Sequence, residues 1–247
     1  MNNIISILFA GIFFIGTVQP ALANALAREQ VSIDLNDKER LQRGAMLFMN
    51  YCSGCHSLKY MRYNRMAEEL GLTTFDGQLD EDLLKNNLIF TKSTVYDPIR
   101  IAMLPEDAKQ WFGMVPPDLS LSARDRGTEW IYNYLRSFYS DNSRPFGTNN
   151  LLVPDVAMPN VLEPLIGKMI LIKNKATHSS DLVLIEHGEM YQAEFDSAIK
   201  DLVTFLEYVG EPAKMVRYHI GIFVILFLCI FFIVAYRLKK AYWQRIT

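Results

Sequence analysis

Cys52-Ser53-Gly54-Cys55-His56 is the short stretch of this chain in which residue type and spacing together specify a reaction. Two thiols separated by two residues, with an imidazole directly after them, have the spacing of a c-type haem attachment site. The thiols add across the two vinyl groups of the porphyrin, and the histidine is set beneath the iron as its proximal ligand. Two other readings use the same cysteines. A thioredoxin-like pair belongs in the strand-to-helix turn of a βαβ unit, and little strand is expected here apart from a late hairpin. A structural zinc site needs two further paired ligands, whereas His178, His187 and His219 are isolated and read as solvated surface residues.

An iron held from one face needs its second axial ligand from another part of the chain. Methionine raises the potential of a haem and suits an electron carrier. Of the 11 methionines, Met46, Met49, Met61 and Met66 are too near the proximal histidine to reach the opposite face, and the usual work of a methionine is to fill a core. Met158, in Val156-Ala157-Met158-Pro159-Asn160, is the leading candidate because Pro159 stiffens a loop in an otherwise irregular stretch. Met114, just before Pro116-Pro117, is the rival.

These residues must be positioned by a largely helical scaffold. Asn36 and Asp37 are N-cap residues for a helix over 38–50, with Leu41, Ala45, Leu47 and Phe48 on an apolar face, so the cysteine motif begins where that helix ends. A short helix over 61–70 stops at Gly71, and Asp80 caps another ending near Asn86 or Asn87. Asp97-Pro98 reads as N-cap and first position of a helix that runs to about Phe112. Pro116-Pro117-Asp118-Leu119-Ser120 then enforces an extended loop. A helix is expected over 127–139, aligning Trp130, Tyr134, Leu135 and Phe138. The stretch 141–164, rich in Gly, Pro, Asn and Asp, is a long irregular segment of the kind that carries function. Apolar runs over 168–173 and 181–186 predict a small β-hairpin. Asp196 is an N-cap for a last helix bearing Ile199, Leu202, Val203, Leu206 and Val209 and ending at Gly210-Glu211-Pro212.

Both ends of the chain are hydrophobic. Residues 4–18 form an uninterrupted apolar run before Ala21-Leu22-Ala23, a small-residue cleavage pattern, so 1–23 is expected to be a secretory signal; an uncleaved anchor is the alternative, since no Lys or Arg precedes the run. Residues 218–236 carry no ionisable side chain except His219 and Cys229 and the two flanking tyrosines, and as a helix would measure about 28 Å, close to the hydrocarbon thickness of a bilayer. Tyr218, Tyr236 and Trp243 stand at membrane-edge positions, and Arg237, Lys239, Lys240 and Arg245 form a basic tail that the positive-inside rule keeps in the cytoplasm. The expected layout is signal peptide 1–23, exported haem domain 24–216, transmembrane helix 217–237 and cytoplasmic tail 238–247, in a bacterial inner membrane with the haem domain in the periplasm. All 27 acidic residues fall in the exported part, against 20 Lys and Arg. That balance favours a basic partner and disfavours nucleic acid. Three cysteines, one of them (Cys229) inside the apolar run, are too few for a disulfide framework.

Taken together, these motifs resemble the cytochrome c1 family, the haem subunit of the cytochrome bc1 complex (ubiquinol–cytochrome c reductase). The resemblance is carried by Cys52-Ser53-Gly54-Cys55-His56-Ser57-Leu58, Pro116-Pro117-Asp118-Leu119-Ser120-Leu121, Ala123-Arg124, Met158-Pro159, Phe205-Leu206 with Glu211-Pro212, and the C-terminal anchor with its basic tail. It implies a mainly α fold, a cytochrome c-like haem domain with insertions including the small β-hairpin, plus one C-terminal transmembrane helix. It also implies one covalently bound haem c, with Met158 as distal ligand, Pro116 and Pro117 against the haem on the proximal side, and Arg124 beside a propionate, where a guanidinium pairs with a carboxylate. Trp130 stands where the family often has a tyrosine near that propionate, and an indole offers only an N–H. The chain lacks the extra cysteine pair of some bacterial members, so stiffening of the distal loop falls to packing.

The activity implied is one-electron transfer from the Rieske iron–sulfur protein to a cytochrome c during quinol oxidation, in a dimeric complex with cytochrome b. On this reading the chain is the electron-transfer subunit of an enzyme and does no substrate chemistry of its own. A haem subunit of a terminal oxidase or nitric oxide reductase is the alternative, but it would lack the Pro-Pro-Asp-Leu-Ser segment and would commonly carry its anchor at the N-terminus. A haem sensor or peroxidase would need an open distal position.

Overall fold

The computed structural model describes residues 30–174 and 179–244. Asp37 caps the first helix as expected: its carboxylate accepts the Arg40 N–H at 2.9 Å, and α1 runs Lys38–Leu47. The helix then widens instead of stopping. A π-helical turn, Phe48–Cys52, carries it onward, with the Ser53 N–H donating to the Phe48 carbonyl at 2.9 Å and the Ser53 hydroxyl to the Met49 carbonyl at 2.7 Å. Such turns recur at functional sites. This one delivers Cys52 to the helix end, where the His56 N–H bonds back to the Cys52 carbonyl at 2.8 Å.

The next elements are β1 (Leu58–Arg62), α2 (Tyr63–Leu70) and α3 (Glu81–Asn87). Residues 61 and 62, expected in a helix, belong to β1, which pairs antiparallel with β2 (Pro98–Ile99). Gly71 ends α2 in the left-handed conformation, at φ 76°. The Asp80 carboxylate caps α3 by accepting the Leu83 N–H at 2.8 Å.

Asp97, in contrast, starts no helix. Its carboxylate turns back to accept the Thr94 N–H at 2.7 Å and the Thr94 hydroxyl at 2.9 Å, and these bonds hold it below the usual carboxylate range. Pro98 opens β2, a position where a missing N–H is tolerated. The true start lies further on: α4 is Pro105–Phe112, with Pro105 in the first turn and Glu106 and Asp107 at the positive end of the helix.

Two short helices, α5 (Ser122–Arg126) and α6 (Thr128–Leu135), follow the proline loop. The helix expected to reach residue 139 is cut short because Phe138–Ser140 forms β3, paired with β4 (Thr148–Asn150). After α7 (Glu163–Ile166), the predicted hairpin is present as β5 (Gly167–Asn174) and β6 (Ser179–His187). The last helix of the haem domain, α8 (Gln192–Gly210), begins ahead of Asp196. The Glu194 side chain accepts the Tyr191 N–H at 2.9 Å in a capping box, which leaves Asp196 to pair with Arg136 at 2.8 Å.

Helix α8 is the hub of the domain, with α1, α5, α6, α7 and β1 all packed on it. Its buried Ile199, Leu202, Val203, Phe205, Leu206 and Val209 meet Leu41, Ala45 and Phe48 in one core, and full burial of each large side chain contributes about 1.5–3 kcal/mol. The Phe48 and Phe205 rings lie 5.9 Å apart. Asp201 is buried in the same crossing and is paired with Arg43 at 2.6 Å and Arg40 at 3.2 Å.

Helix α9 (Lys214–Trp243) follows α8 almost at once, 30 residues long, with no buried side chain and a mean hydropathy of 2.7 in its most apolar window. At about 45 Å it exceeds the roughly 30 Å core of a bilayer. Among the described residues it is the one helix long and apolar enough to cross a membrane. It overruns the expected 217–237 at both ends, so Arg237, Lys239 and Lys240 ride on the helix itself. The expected signal over 1–23, and Arg245 of the tail, lie outside the described residues.

Candidate functional site

The cysteine motif opens onto an apolar cleft. Cys52, Cys55, His56, Pro116, Pro117 and Met158 all line it, so the fold gathers residues that lie up to 106 positions apart. Met114 lines it too.

His56 is oriented by backbone. Its Nδ1–H donates to the Pro117 carbonyl at 2.7 Å. A carbonyl can only accept, so the proton sits on Nδ1 and the Nε2 lone pair is left for a metal. Burial lowers the imidazole pKa against the raising pull of the Pro117 carbonyl and of Asp118, which favours the neutral, ligating form. Pro117 is itself held in place. The Leu119 N–H donates to the Ser57 carbonyl at 2.9 Å, and the Asp118 carboxylate accepts the Lys59 N–H at 2.9 Å and the Ser120 N–H at 3.0 Å. The two prolines have no N–H to draw the segment into a helix, and Asp118 staples it along β1.

Cys52 and Cys55 are free thiols. Burial pushes the Cys52 thiol up to about 12 and raises that of Cys55 as well. A thioredoxin-like pair needs the opposite shift. Among the described residues no three His, Cys, Asp or Glu side chains stand together as a metal-ligand set, so the zinc reading finds no support there. Two thiols on one turn, an imidazole nitrogen aimed by its partner, and apolar walls fit a tethered porphyrin. After denaturation and acid–acetone extraction, the haem is expected to stay with the native polypeptide. A Cys52→Ala, Cys55→Ala double variant should hold none under the same treatment, and haem released from the native chain would overturn covalent attachment.

Met158, on the same cleft, is half-buried and packed against the core. The Tyr134 hydroxyl donates to its sulfur at 3.5 Å. Burial pushes this phenol up to about 12, so it remains an O–H donor at neutral pH. Tyr134 stacks on Trp130 at 5.0 Å and meets Phe138 edge-on at 5.2 Å. The expected helix aligned these aromatics; Trp130 and Tyr134 do lie on α6 and stack, whereas Phe138 belongs to β3. The buried face of α6 is Ile131, Tyr132 and Leu135, and Tyr134 beside it turns its hydroxyl toward the Met158 loop. Tyr134 is therefore a site residue that sequence reasoning missed; its spacing of four from Trp130 was the available signal. Besides the packing of Met158 on the core, buried side chains of β4 hydrogen-bond to the backbone of the distal loop.

Arg124 is exposed on α5 and does not line the cleft. Its aliphatic stem lies over Gly210 of α8, where an added Cβ would come within 3.1 Å of the Arg124 Cγ. Its neighbour Arg126, not Arg124, covers the Trp130 ring, at 4.9 Å.

The model of the Cytochrome C1 family matches residues 29–246. The cytochrome c1 of Allochromatium vinosum is 46% identical over 222 residues, covering 87% of this chain and 88% of that protein. A protein of Nitrosomonas europaea named ammonia monooxygenase gamma subunit is 42% identical over 218 residues, covering 88% of each. A solved structure described as a hyperthermophilic respiratory Complex III aligns over 99% of this chain and 98% of its own, at 17% identity and a TM-score of 0.44.

Proposed function

This chain belongs to the cytochrome c1 family, and on that premise we propose that it takes single electrons from the Rieske iron–sulfur protein and passes them to a cytochrome c. As a family member it is an electron-transfer subunit of the bc1 complex, a respiratory oxidoreductase, and it carries a covalently bound c-type haem. The oxidase and nitric oxide reductase alternative is not favoured by this membership. With α9 as its anchor it is a single-pass inner-membrane protein.

The finer assignments are part of the proposal. Cys52 and Cys55 hold the porphyrin, His56 Nε2 is the proximal ligand, the Met158 sulfur is the distal ligand, and Arg124 pairs with a propionate. When bound, the haem supplies one iron that cycles between ferric and ferrous states. The rest belongs to the chain. The Pro117 carbonyl keeps the His56 ring in one tautomer and one orientation, Pro116 and Pro117 wall the proximal side, and the apolar lining limits water near the metal, which tunes its potential. The haem domain faces the periplasm and the basic end of α9 the cytoplasm, and the assembly is a dimer with cytochrome b and the Rieske protein.

The observation that carries this reading is the His56–Pro117 hydrogen bond within a cleft that also gathers both cysteines and Met158. Its test is purification of the assembly from membranes. b-Type haem and an iron–sulfur centre should accompany this chain, and added quinol should reduce its c-type absorbance, an effect lost when the iron–sulfur protein is extracted. Co-isolation with a monooxygenase in place of those centres, the assembly that the name of the Nitrosomonas relative suggests, would overturn it.

A further inference from the structure

Met158 occupies the stretch 156–159, and both ends of that stretch are tied to one strand. The strand is β4, Thr148-Asn149-Asn150, whose three polar residues are only 7%, 6% and 1% exposed. Buried polar side chains persist where they are hydrogen-bonded, and here the partners are backbone groups of the distal loop. On the downstream side the Asn160 N–H donates to the Thr148 hydroxyl at 3.3 Å. On the upstream side the Asp155 N–H donates to Asn149 Oδ1 at 2.9 Å.

Between those ties the loop winds around Asn150, whose Oδ1 accepts the Leu152 N–H at 2.9 Å and the Val153 N–H at 3.2 Å. The Asn150 amide donates in turn to the Tyr134 carbonyl at 2.8 Å, which joins the loop to the residue whose hydroxyl touches the Met158 sulfur. Asn149 is anchored from behind, its amide donating to the Asp141 carboxylate at 3.0 Å. Asp155, where the chain turns toward Met158, has φ 61°, the one positive value at a non-glycine among the described residues. That strained turn is held by Arg144, 2.7 Å from the Asp155 carboxylate and donating to its carbonyl at 3.0 Å.

We infer that Thr148, Asn149 and Asn150 are positioning residues that keep the Met158 sulfur on the iron and govern how readily it detaches. The inference rests on Met158 being the distal ligand. A loop with little regular structure opens readily unless its backbone groups have fixed partners. Deleting one buried acceptor leaves an N–H unpaired in the closed state alone, so the opening equilibrium should rise roughly tenfold.

The test uses the full chain in its complex. Thr148→Val keeps the shape and removes the hydroxyl acceptor, Thr148→Ser restores the hydroxyl, and Asn149→Ala removes the acceptor shared by the Asp155 and Asn150 N–H groups. The readout is the rate at which added imidazole binds the oxidised haem, since imidazole must wait for the sulfur to leave. Thr148→Val and Asn149→Ala should speed binding about tenfold, with the sulfur-to-iron band fading below the temperature of global unfolding. Thr148→Ser should stay within about twofold of the native rate. Native rates in both deletions, with band loss coinciding with unfolding, would reduce the triplet to a fold-stabilising role and overturn the inference. Should Asn149→Ala fail to fold, the Thr148 pair decides alone. Met158→Leu separates the premise from the inference. If the band survives in Met158→Leu, the ligand assignment is wrong and the inference falls with it. If the band is lost there while Thr148→Val behaves as native, only the inference falls.

Discussion

Met158→Leu is expected to abolish the sulfur-to-iron charge-transfer band, lower the haem midpoint potential and stop quinol-driven reduction of cytochrome c. Leucine preserves the apolar volume and removes only the donor atom, so folding should change by less than about 1.5 kcal/mol. The potential should fall on the order of 100 mV, within the roughly 0.8 V that axial ligation spans. Such a drop weakens the driving force for taking electrons from the iron–sulfur partner. Met114→Leu is the control, because Met114 also lines the cleft. Met114 is 53% exposed and lies two residues before Pro116. The Pro117 carbonyl is bonded to His56, so this segment is held beside His56, the proposed proximal ligand. Three residues, from Met114 to Pro117, reach about 11 Å at most, too short a tether to carry the Met114 sulfur around the edge of a porphyrin. Redox titration and steady-state reductase assays on the two variants decide between them, and the reverse pattern would make Met114 the ligand.

Local chemistry was legible in the sequence wherever one residue type admits one geometry. Cys-x-x-Cys-His needs no tertiary context, Gly71 ends a helix because it alone takes φ 76° cheaply, and Asp80 caps because a carboxylate meets a free N–H three residues on. The apolar run after Arg217 was equally plain. Reading failed where two residues competed for one role. Asp97-Pro98 and Leu104-Pro105 both fit a helix start, and the choice fell to the Thr94 turn, which takes up the Asp97 carboxylate. Asp196 lost its cap to Tyr191 and Glu194 because it is needed by Arg136, sixty residues away. The β4 triplet was illegible for a related reason. Thr148-Asn149-Asn150 has a surface composition, and only the arrival of residues 152–160 over it makes it buried.

Gly44→Ala is expected to cost about 3 kcal/mol or more and to deplete haem-bearing protein, although Gly44 touches neither the cleft nor the cysteines. On helix propensity alone the substitution would stabilise α1 by about 1 kcal/mol. The contact at the α1–α8 crossing decides otherwise. A Cβ at Gly44 would stand 2.2 Å from the Asp201 carbonyl oxygen and 2.7 Å from the Phe205 Cβ. Neither neighbour is the free end of a flexible side chain, so relief requires the two helices to separate. Separation would loosen the Phe48–Phe205 contact and the pairs of Asp201 with Arg40 and Arg43. Overpacking of this kind typically costs 1–3 kcal/mol, and breaking a buried ion pair adds to it, out of a total stability of about 5–15 kcal/mol. The same helix continues through the π-helical turn into Cys52, so its displacement also shifts the proposed haem tether. Gly54→Ala is the informative counterpart. Gly54 lies inside the attachment motif, where sequence alone would locate the sensitive glycine, yet nothing stands within 4 Å of its added Cβ. Its stability should change by no more than about 0.5 kcal/mol. Urea denaturation of the two purified variants, with covalent haem measured per polypeptide, checks both, and a Gly44→Ala protein as stable as native would mean that α1 and α8 do not cross at Gly44.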